Sequence, residues 1–410
     1  MRQLFLLMLL SVYAFSGSLL FCKSHYKATT KQLKKKSLAY MEEKAQALSQ
    51  PELLRAIHAT KVFASKYKRT GISQKNFLQA AFYLETHLPD IKHSSQHYLK
   101  KKKTGLKNAL EYDPKSGHTF IILDSKKAYI GHGAKKQVYK TIHYGKDPKV
   151  LARSEQSKPM PEEIQALKEL QGLPGVMNAY AFTKHKHKKK KLYAVYSDFY
   201  KGTISDLFSK RELDLSNKLI IMSDLLQGLE SLHSRNYVHR DLHAYNYLIF
   251  EENLSNGSKI IRAVIADLGR TIKITKAKNV RAQMTSRLCP PEGFNHKKLR
   301  GKDYFATDVY ALGCILYRLH HHKFPKWQGD YLRSKMLSPG KKKATLIRKL
   351  NKSTLNRREE LFRNKQRQGG LSVKEDVELL ILNMLNADPS NRGTASDHRR
   401  AMQHILHRYG

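Results

Sequence analysis

The chain has 410 residues, and 76 Lys+Arg against 34 Asp+Glu give it a formal net charge of +42. Hydrophobic residues make up 40%, enough to fill a sizeable core, which excludes wholesale disorder. The 12 Pro and 22 Gly exclude collagen-like and Pro/Gly low-complexity architectures; three cysteines, Cys22, Cys289 and Cys314, exclude a disulfide framework and point to a reducing compartment.

The charge comes in runs at Lys34–Lys36, Lys100–Lys103, Lys184–Lys191 and Lys341–Lys343. Such a chain favours anionic partners, an anionic membrane surface among them, although a solvated cationic surface has the same composition. No run interleaves aromatics at a regular spacing, so no specific nucleic acid is signalled.

In chain order, Gln3 to Cys22 carries no charge and reads as a signal peptide or membrane anchor over residues 1–22. The basic flank from Lys23 to Lys36 would keep an anchored chain facing the cytoplasm. The expected location is therefore membrane-anchored with that orientation, or secreted. Residues 30–103 read as a helical accessory region, with apolar residues at Leu38, Met41, Ala45, Leu48 and again at Phe77, Ala80, Ala81, Leu84. Thr70-Gly71 and Pro89 are expected to break it, and Lys100 to Asn108 to link it onward.

From His118 the pattern turns to short strands, as in Thr119-Phe120-Ile121-Ile122-Leu123. Strands are predicted to continue to about Phe199, interrupted by a helix near Glu162 to Leu170. The Lys/His run at 184–191 is expected to be a solvated hairpin tip, in preference to a metal site at His185 and His187. After Asp206 the pattern is mostly helical, with strands between Tyr247 and Asp267. A β-rich half followed by a helical half is an α+β arrangement with a cleft between the halves.

The chemistry is concentrated in His239-Arg240-Asp241-Leu242-His243-Ala244-Tyr245-Asn246. A carboxylate can orient an attacking hydroxyl and accept its proton, and an amide oxygen five residues on can ligate a cation that bridges phosphates. Val264-Ile265-Ala266-Asp267-Leu268-Gly269 follows, a buried strand delivering an Asp before a sharp turn. Asn246 and Asp267 together offer the hard oxygens that Mg²⁺ prefers. Upstream, Ile130-Gly131-His132-Gly133-Ala134-Lys135-Lys136-Gln137-Val138 lies between two strand-like segments, where glycines permit close backbone approach to phosphates. Downstream come Pro290-Pro291-Glu292, Asp308-Val309-Tyr310-Ala311-Leu312-Gly313 and Asp388-Pro389-Ser390-Asn391-Arg392.

This order of motifs resembles the eukaryotic-type protein kinase family, over about Phe120 to Leu406, with a domain placed at 118–408. The resemblance implies an α+β, bilobal protein-kinase-like fold, with a small β-rich N-lobe and a larger helical C-lobe preceded by the helical region. It implies a Ser/Thr kinase that moves the γ-phosphoryl of ATP, with Mg²⁺, to a protein substrate. By the same resemblance Asp241 is the catalytic base, and Asn246 and Asp267 bind Mg²⁺. Gly131, Gly133 and Val138 cover the nucleotide; Tyr196 is the gatekeeper, and the backbone of Asp198 and Phe199 meets adenine. Glu292 pairs with Arg392. Arg240 receives a phosphate on the activation segment, for which Thr271, Thr275 and Ser286 are candidates, and Thr285 lies near the substrate hydroxyl.

The family's third-strand Lys is missing. One register puts Arg153 there and the other Ser154. Lys136 occupies the place of the third loop glycine, as in the with-no-lysine kinases, and is expected to supply the phosphate-facing cation, with Glu163 as its helical partner. The alternatives are a nucleotide-binding pseudokinase scaffold, suggested by the missing Lys, and a small-molecule phosphotransferase, suggested by His243 two residues after Asp241.

Overall fold

A computed structural model describes residues 37–67, 72–93, 98–100, 106–123, 127–132, 136–158, 161–187, 190–208, 213–274, 288–294, 303–325 and 355–409. The segment 1–22, Gly133, Thr275, Thr285 and Ser286 lie outside the described residues. Among those described, no helix is long and apolar enough to cross a membrane. The chain divides into two compact units, Met1–Pro159 with Tyr180–Phe199, and Met160–Ala179 with Tyr200–Gly410.

The first unit opens with three helices: α1 (Leu38–Ala47), α2 (Pro51–Lys66) and α3 (Gln74–His93). The Ser37 hydroxyl caps α1 by accepting from the Tyr40 N–H, and Pro51 sits in the first turn of α2, where its missing N–H costs nothing. Their buried residues fall at three- and four-residue steps: Met41 and Ala45; Leu53, Ile57, Thr60 and Phe63; Phe77, Ala81 and Leu84. Phe63 stacks on Phe77 at 4.4 Å between ring centroids. Pro89 does not end α3. It lies inside the helix near its last turn, where buried Leu84 and Ile91 on either side hold the chain to the core.

Eight strands follow in this unit: β1 (Tyr98–Leu99), β2 (Ala109–Tyr112), β3 (Thr119–Ile122), β4 (Tyr129–His132), β5 (Gln137–Tyr144), β6 (Lys149–Gln156), β7 (Ala179–His187) and β8 (Lys190–Asp198). They form one sheet in the order β1-β2-β3-β5-β6-β8-β7, with β4 paired to the far end of β5. The helices share a single core with the sheet residues Leu110, Ile121, Ile142 and Val150. The opposite face buries Phe120, Ile122, Leu151, Ala194 and Tyr196. The sheet thus begins earlier than the expected His118 boundary, because Ala109–Tyr112 adds a strand buried at all four positions.

The second unit starts with α4 (Pro161–Glu169) and resumes with β9 (Gly202–Thr203) and the short α5 (Ile204–Leu207). The long α6 (Leu215–Ser234) and β10 (Tyr237–Val238) lead into the hairpin of β11 (Tyr247–Asn253) and β12 (Lys259–Ile265). β13 (Ile272–Lys273) pairs with β10, and the unit closes with α7 (Asp303–His321), α8 (Leu355–Arg367), α9 (Val373–Met384) and α10 (Ala395–Tyr409). Asp214 caps α6 through the Asn217 N–H at 2.7 Å, and Ser372 with Glu375 forms a capping box on α9. On α6, Gly228 approaches the Gly175 carbonyl so closely that a Cβ there would sit 2.3 Å from it, so only glycine fits. This close contact seats α6 beneath β12, whose Ile265 N–H donates to Gly175 O at 2.8 Å. Arg262 of β12 forms a bidentate pair with Asp224 of α6, both bonds 2.8 Å.

Candidate active site

Both ends of the β11–β12 hairpin carry functional side chains. A 3₁₀ turn at Ala244–Asn246 enters β11, and Asp267 lies just beyond the end of β12. The Ala266 N–H donates to the Asn246 carbonyl at 2.8 Å and holds these ends together. Asn246 is buried, and its Nδ2 donates to the Asp241 carbonyl at 2.8 Å, which leaves its Oδ1 as the acceptor end. Asp267 takes a left-handed conformation (φ 55°, ψ 68°), and its carboxylate accepts from the Gly269 N–H at 3.4 Å. That backbone state costs a non-glycine residue about 1–3 kcal/mol and persists only where its surroundings enforce it.

The loop before Asn246 is braced by buried groups. Asp308 of α7, fully buried, accepts the His239 N–H at 2.7 Å through Oδ2 and the Arg240 N–H at 3.0 Å through Oδ1. Arg240 is thereby held at φ 65°. His239, also fully buried, has Nε2 at 2.9 Å from the Ala266 carbonyl and Nδ1 at 3.3 Å from the Asp241 N–H. Nε2 must donate and Nδ1 must accept, which fixes the neutral tautomer. The single ring spans the Asp241 loop and the Asp267 strand end.

The Asp241 carboxylate is 16% exposed. One oxygen lies 3.9 Å from His243 Nε2 and the other 3.4 Å from Arg270 Nε. Burial holds His243 below the ordinary imidazole value, opposed by the Asp241 charge. Arg270 is a contact the sequence reading missed; nothing in its position after Gly269 marks it. Arg240 Nε donates to the Arg270 carbonyl at 2.7 Å, while Nη1 is buried with no hydrogen-bond partner among the described residues. Thr271, named as a phosphate acceptor, is 2% exposed. Glu163 is buried on α4, the helix that packs against the Leu268–Arg270 turn. Glu292 meets Arg392 in a two-bond pair, one of them 2.8 Å, and Arg392 is fully buried and also bonded to the Asn386 carbonyl at 2.7 Å. The expected Glu292–Arg392 pair is therefore present. Burial pushes the Cys289 and Cys314 thiols well up, which leaves neither a nucleophile.

The remaining sequence-predicted residues belong to the first unit. Gly131 faces Val138 across the β4–β5 pair, after a bulge. Val138 in turn lies opposite Ser154, while Arg153 lies opposite Tyr139 and Tyr196. Strand alternation then puts Ser154 and Ala152 on the Val138 face and Arg153 on the other. There Arg153 is 2% exposed, with its Nε donating to the Tyr196 hydroxyl at 3.0 Å and its Nη2 3.5 Å from Glu111 Oε2. It also binds Glu155, and the Tyr196 hydroxyl donates to Glu111. Tyr196 stacks on Phe120 at 3.8 Å. His185, expected in a solvated tip, is buried here: Nδ1 is 3.5 Å from Glu111 Oε1, and the ring stacks on Tyr98 at 4.2 Å. The Asp198 carboxylate is held by Lys149 and Tyr180, both at 2.7 Å, and Phe199 lies 5.2 Å from Lys140 Nζ. Lys136 is half-buried immediately before β5.

Comparison with known proteins agrees with this geometry. The protein kinase domain family matches residues 125–407. The chain belongs to that family and has its α+β fold, a β-rich sheet and a helical region with helices ahead of the domain. A probable LIM domain-containing serine/threonine-protein kinase of Dictyostelium discoideum is 29% identical over 206 residues, 48% of this chain and 29% of the relative. The serine/threonine/tyrosine-protein kinase HT1 of Arabidopsis thaliana is 28% identical over 137 residues, 32% of each chain. The serine/threonine-protein kinase shk2 of Schizosaccharomyces pombe is 27% identical over 176 residues, 41% of this chain and 28% of the relative. The chain thus spans about a third or less of the length of these relatives. Membership of the protein kinase domain family implies ATP and a divalent metal in general.

Proposed function

We propose that the chain is an active Ser/Thr protein kinase that transfers the γ-phosphoryl of ATP to a protein hydroxyl. The observation that carries this reading is the joint placement of Asp241, Asn246 and Asp267, locked by His239 and Asp308. A pseudokinase would have no need of so costly a backbone at both Arg240 and Asp267.

Asp241 accepts the proton of the attacking hydroxyl, and Arg270 beside one oxygen and His243 beside the other orient the carboxylate. The Asn246 amide oxygen and the Asp267 carboxylate are hard donors suited to Mg²⁺. When bound there, Mg²⁺ supplies charge neutralisation on the phosphates. The chain's own residues supply position: His239 ties the two metal-facing ends, and Asp308 fixes the loop that carries Asp241.

For the missing strand Lys, Lys136 takes the role of the phosphate-facing cation. Arg153 is already committed to Glu111, Glu155 and Tyr196, and works as a pillar of the sheet. Gly131, Gly133 and Val138 cover the nucleotide, and the backbone of Asp198 and Phe199 meets adenine. Glu163 lies buried on the helix that packs against the Leu268–Arg270 turn. Arg240, whose buried Nη1 has no hydrogen-bond partner among the described residues, is suited to receive a phosphate on the segment that contains Thr275 and Ser286. For localisation, the uncharged run from Gln3 to Cys22 supports a membrane-anchored chain facing the cytoplasm, or a secreted one.

The test is incubation of the purified chain with γ-labelled ATP, Mg²⁺ and a panel of protein acceptors, followed by phosphoamino-acid analysis. Label on serine or threonine is expected. Label only on tyrosine would overturn the Ser/Thr reading, and label only on a small molecule would favour the phosphotransferase alternative.

A further inference from the structure

The last turn of α7 carries a guanidinium that no carboxylate neutralises among the described residues. Arg318 lies over two aromatic rings, 3.9 Å from the Phe208 centroid and 4.5 Å from that of Phe324. The rings are 6.1 Å apart and inclined at 73°, so they fix the side chain from two directions. Stacking engages the faces of a guanidinium and leaves the N–H donors along its edge. Among the described residues, no hydrogen bond or ion pair takes those donors. Other arginines of the second unit differ: Arg262 holds Asp224, Arg392 holds Glu292, Arg399 holds Glu230 and Arg408 holds Asp376. Burial pulls Arg318 below its ordinary value, and the Tyr245 phenol opposes the shift.

Tyr245 connects this guanidinium to the proton acceptor. It stands one residue before Asn246 and four after Asp241, is 65% exposed, and has its ring 6.1 Å from that of His243. The Ala244–Asn246 turn that carries it packs against α5, and Phe208 is the residue that ends α5. Asp241, His243, Tyr245, Phe208 and Arg318 thus follow one another through these contacts. An exposed tyrosine beside a stacked arginine is a pair of side chains that protein interfaces favour.

We propose that Arg318 reads an acidic residue, Asp or Glu, close to the acceptor hydroxyl, so that acidic protein segments are the preferred substrates. The inference rests on the kinase reading above and names the acceptor for it. A carboxylate accepts two parallel N–H bonds from a single guanidinium, which is the group offered here. The two phenylalanines already order the side chain, so binding does not have to do so. Arg270, with its side chain half exposed beside Asp241, has the same sign, as does the chain as a whole at +42. A basic segment approaching Asp241 would meet like charge at both arginines, which lowers its affinity against an acidic rival.

The test uses the full chain and serine-centred peptides that are otherwise neutral, with Asp, Asn, Lys or phosphoserine at each of four positions on either side. Transfer from γ-labelled ATP and fluorescence anisotropy of the same peptides are both read, in about 0.15 M salt to screen the general charge. Asp is expected to exceed Asn by about tenfold or more at one position in kcat/KM and in affinity, and Lys to fall below Asn there. Arg318→Gln should lose that preference, Arg318→Lys should keep part of it, and Arg318→Glu should turn it toward Lys. Arg400→Glu on α10, an equal change of net charge, should leave it as in the wild type. A wild type that ranks Asp and Asn alike at every position, or gains only from phosphoserine, overturns the proposal. So does an Arg318→Gln chain that keeps the Asp preference. If no peptide is labelled, the kinase reading fails, and the anisotropy ranking still decides whether Arg318 binds the acid. Should an Arg318 variant lose its circular-dichroism signature, the position scan of the wild type decides.

Discussion

Glu111→Ala removes a carboxylate that is 2% exposed and central to the buried network of Arg153, His185 and Tyr196. Breaking a buried ion pair on one side leaves the other charge uncompensated, at a cost of about 3–5 kcal/mol. Arg153 keeps Glu155, so the low end applies, about 3 kcal/mol. For a unit of this size, that is a fall of about 6–12 °C in the melting temperature. Hydrogen exchange on β5, β6 and β8 should locate the loss in the sheet. Replacing the charges together, as Glu111→Leu with Arg153→Met, should recover most of it, because neither charge is then left alone. The pH dependence has a definite sign. Desolvation pulls the Glu111 carboxyl up, but the His185 hydrogen bond and the Arg153 charge outweigh it and hold the group below its ordinary value of 4.5. Its stabilisation is complete above that value and is lost as pH falls below it. A Glu111→Ala chain that melts within about 1 °C of wild type, with no change in acid sensitivity, would refute the reasoning.

Other outcomes follow from the same geometry. Lys136→Met should abolish phosphoryl transfer at unchanged stability, whereas Arg153→Met should act mainly on the melting temperature; the reverse ranking in paired kinetic and thermal assays would remove Lys136 from its role. Asp308→Ala should leave the His239 and Arg240 N–H groups unsatisfied, at about 1–3 kcal/mol each, and lower kcat more than it raises KM. An equal effect on both constants would contradict the positioning role. Phe77→Ala, at a fully buried ring stacked on Phe63, should destabilise the first unit by about 3–5 kcal/mol in denaturant titration.

The catalytic loop was legible because its chemistry is local: Asp241 and Asn246 are five residues apart, and Asp267 ends a plainly apolar strand. The Glu292–Arg392 pair spans a hundred residues, yet the motifs at each end identified it. The network around Arg153 was not legible. Its carboxylate comes from β2, a strand that Glu111 itself obscures by interrupting the apolar run, and that follows a lysine-rich stretch read as linker. His185 is obscured for the same reason: a histidine within a lysine run carries a solvated signature, and only the fold brings Glu111 and Tyr98 over it. Pro89 signals a break by propensity alone, and the packing of Leu84 and Ile91 on either side keeps it inside the helix. Arg270 had no signal, since its approach to Asp241 depends on how the turn after Asp267 is held.

The proposed transfer depends on Asp241 as the proton acceptor. Single-turnover transfer from γ-labelled ATP to a protein acceptor, measured side by side for wild type and Asp241→Asn at saturating nucleotide, tests it most directly. The expected result is transfer by the wild type and a rate lower by about a hundredfold to ten-thousandfold in the variant, with nucleotide binding unchanged. Equal rates, or no transfer by the wild type with any divalent ion, would contradict it.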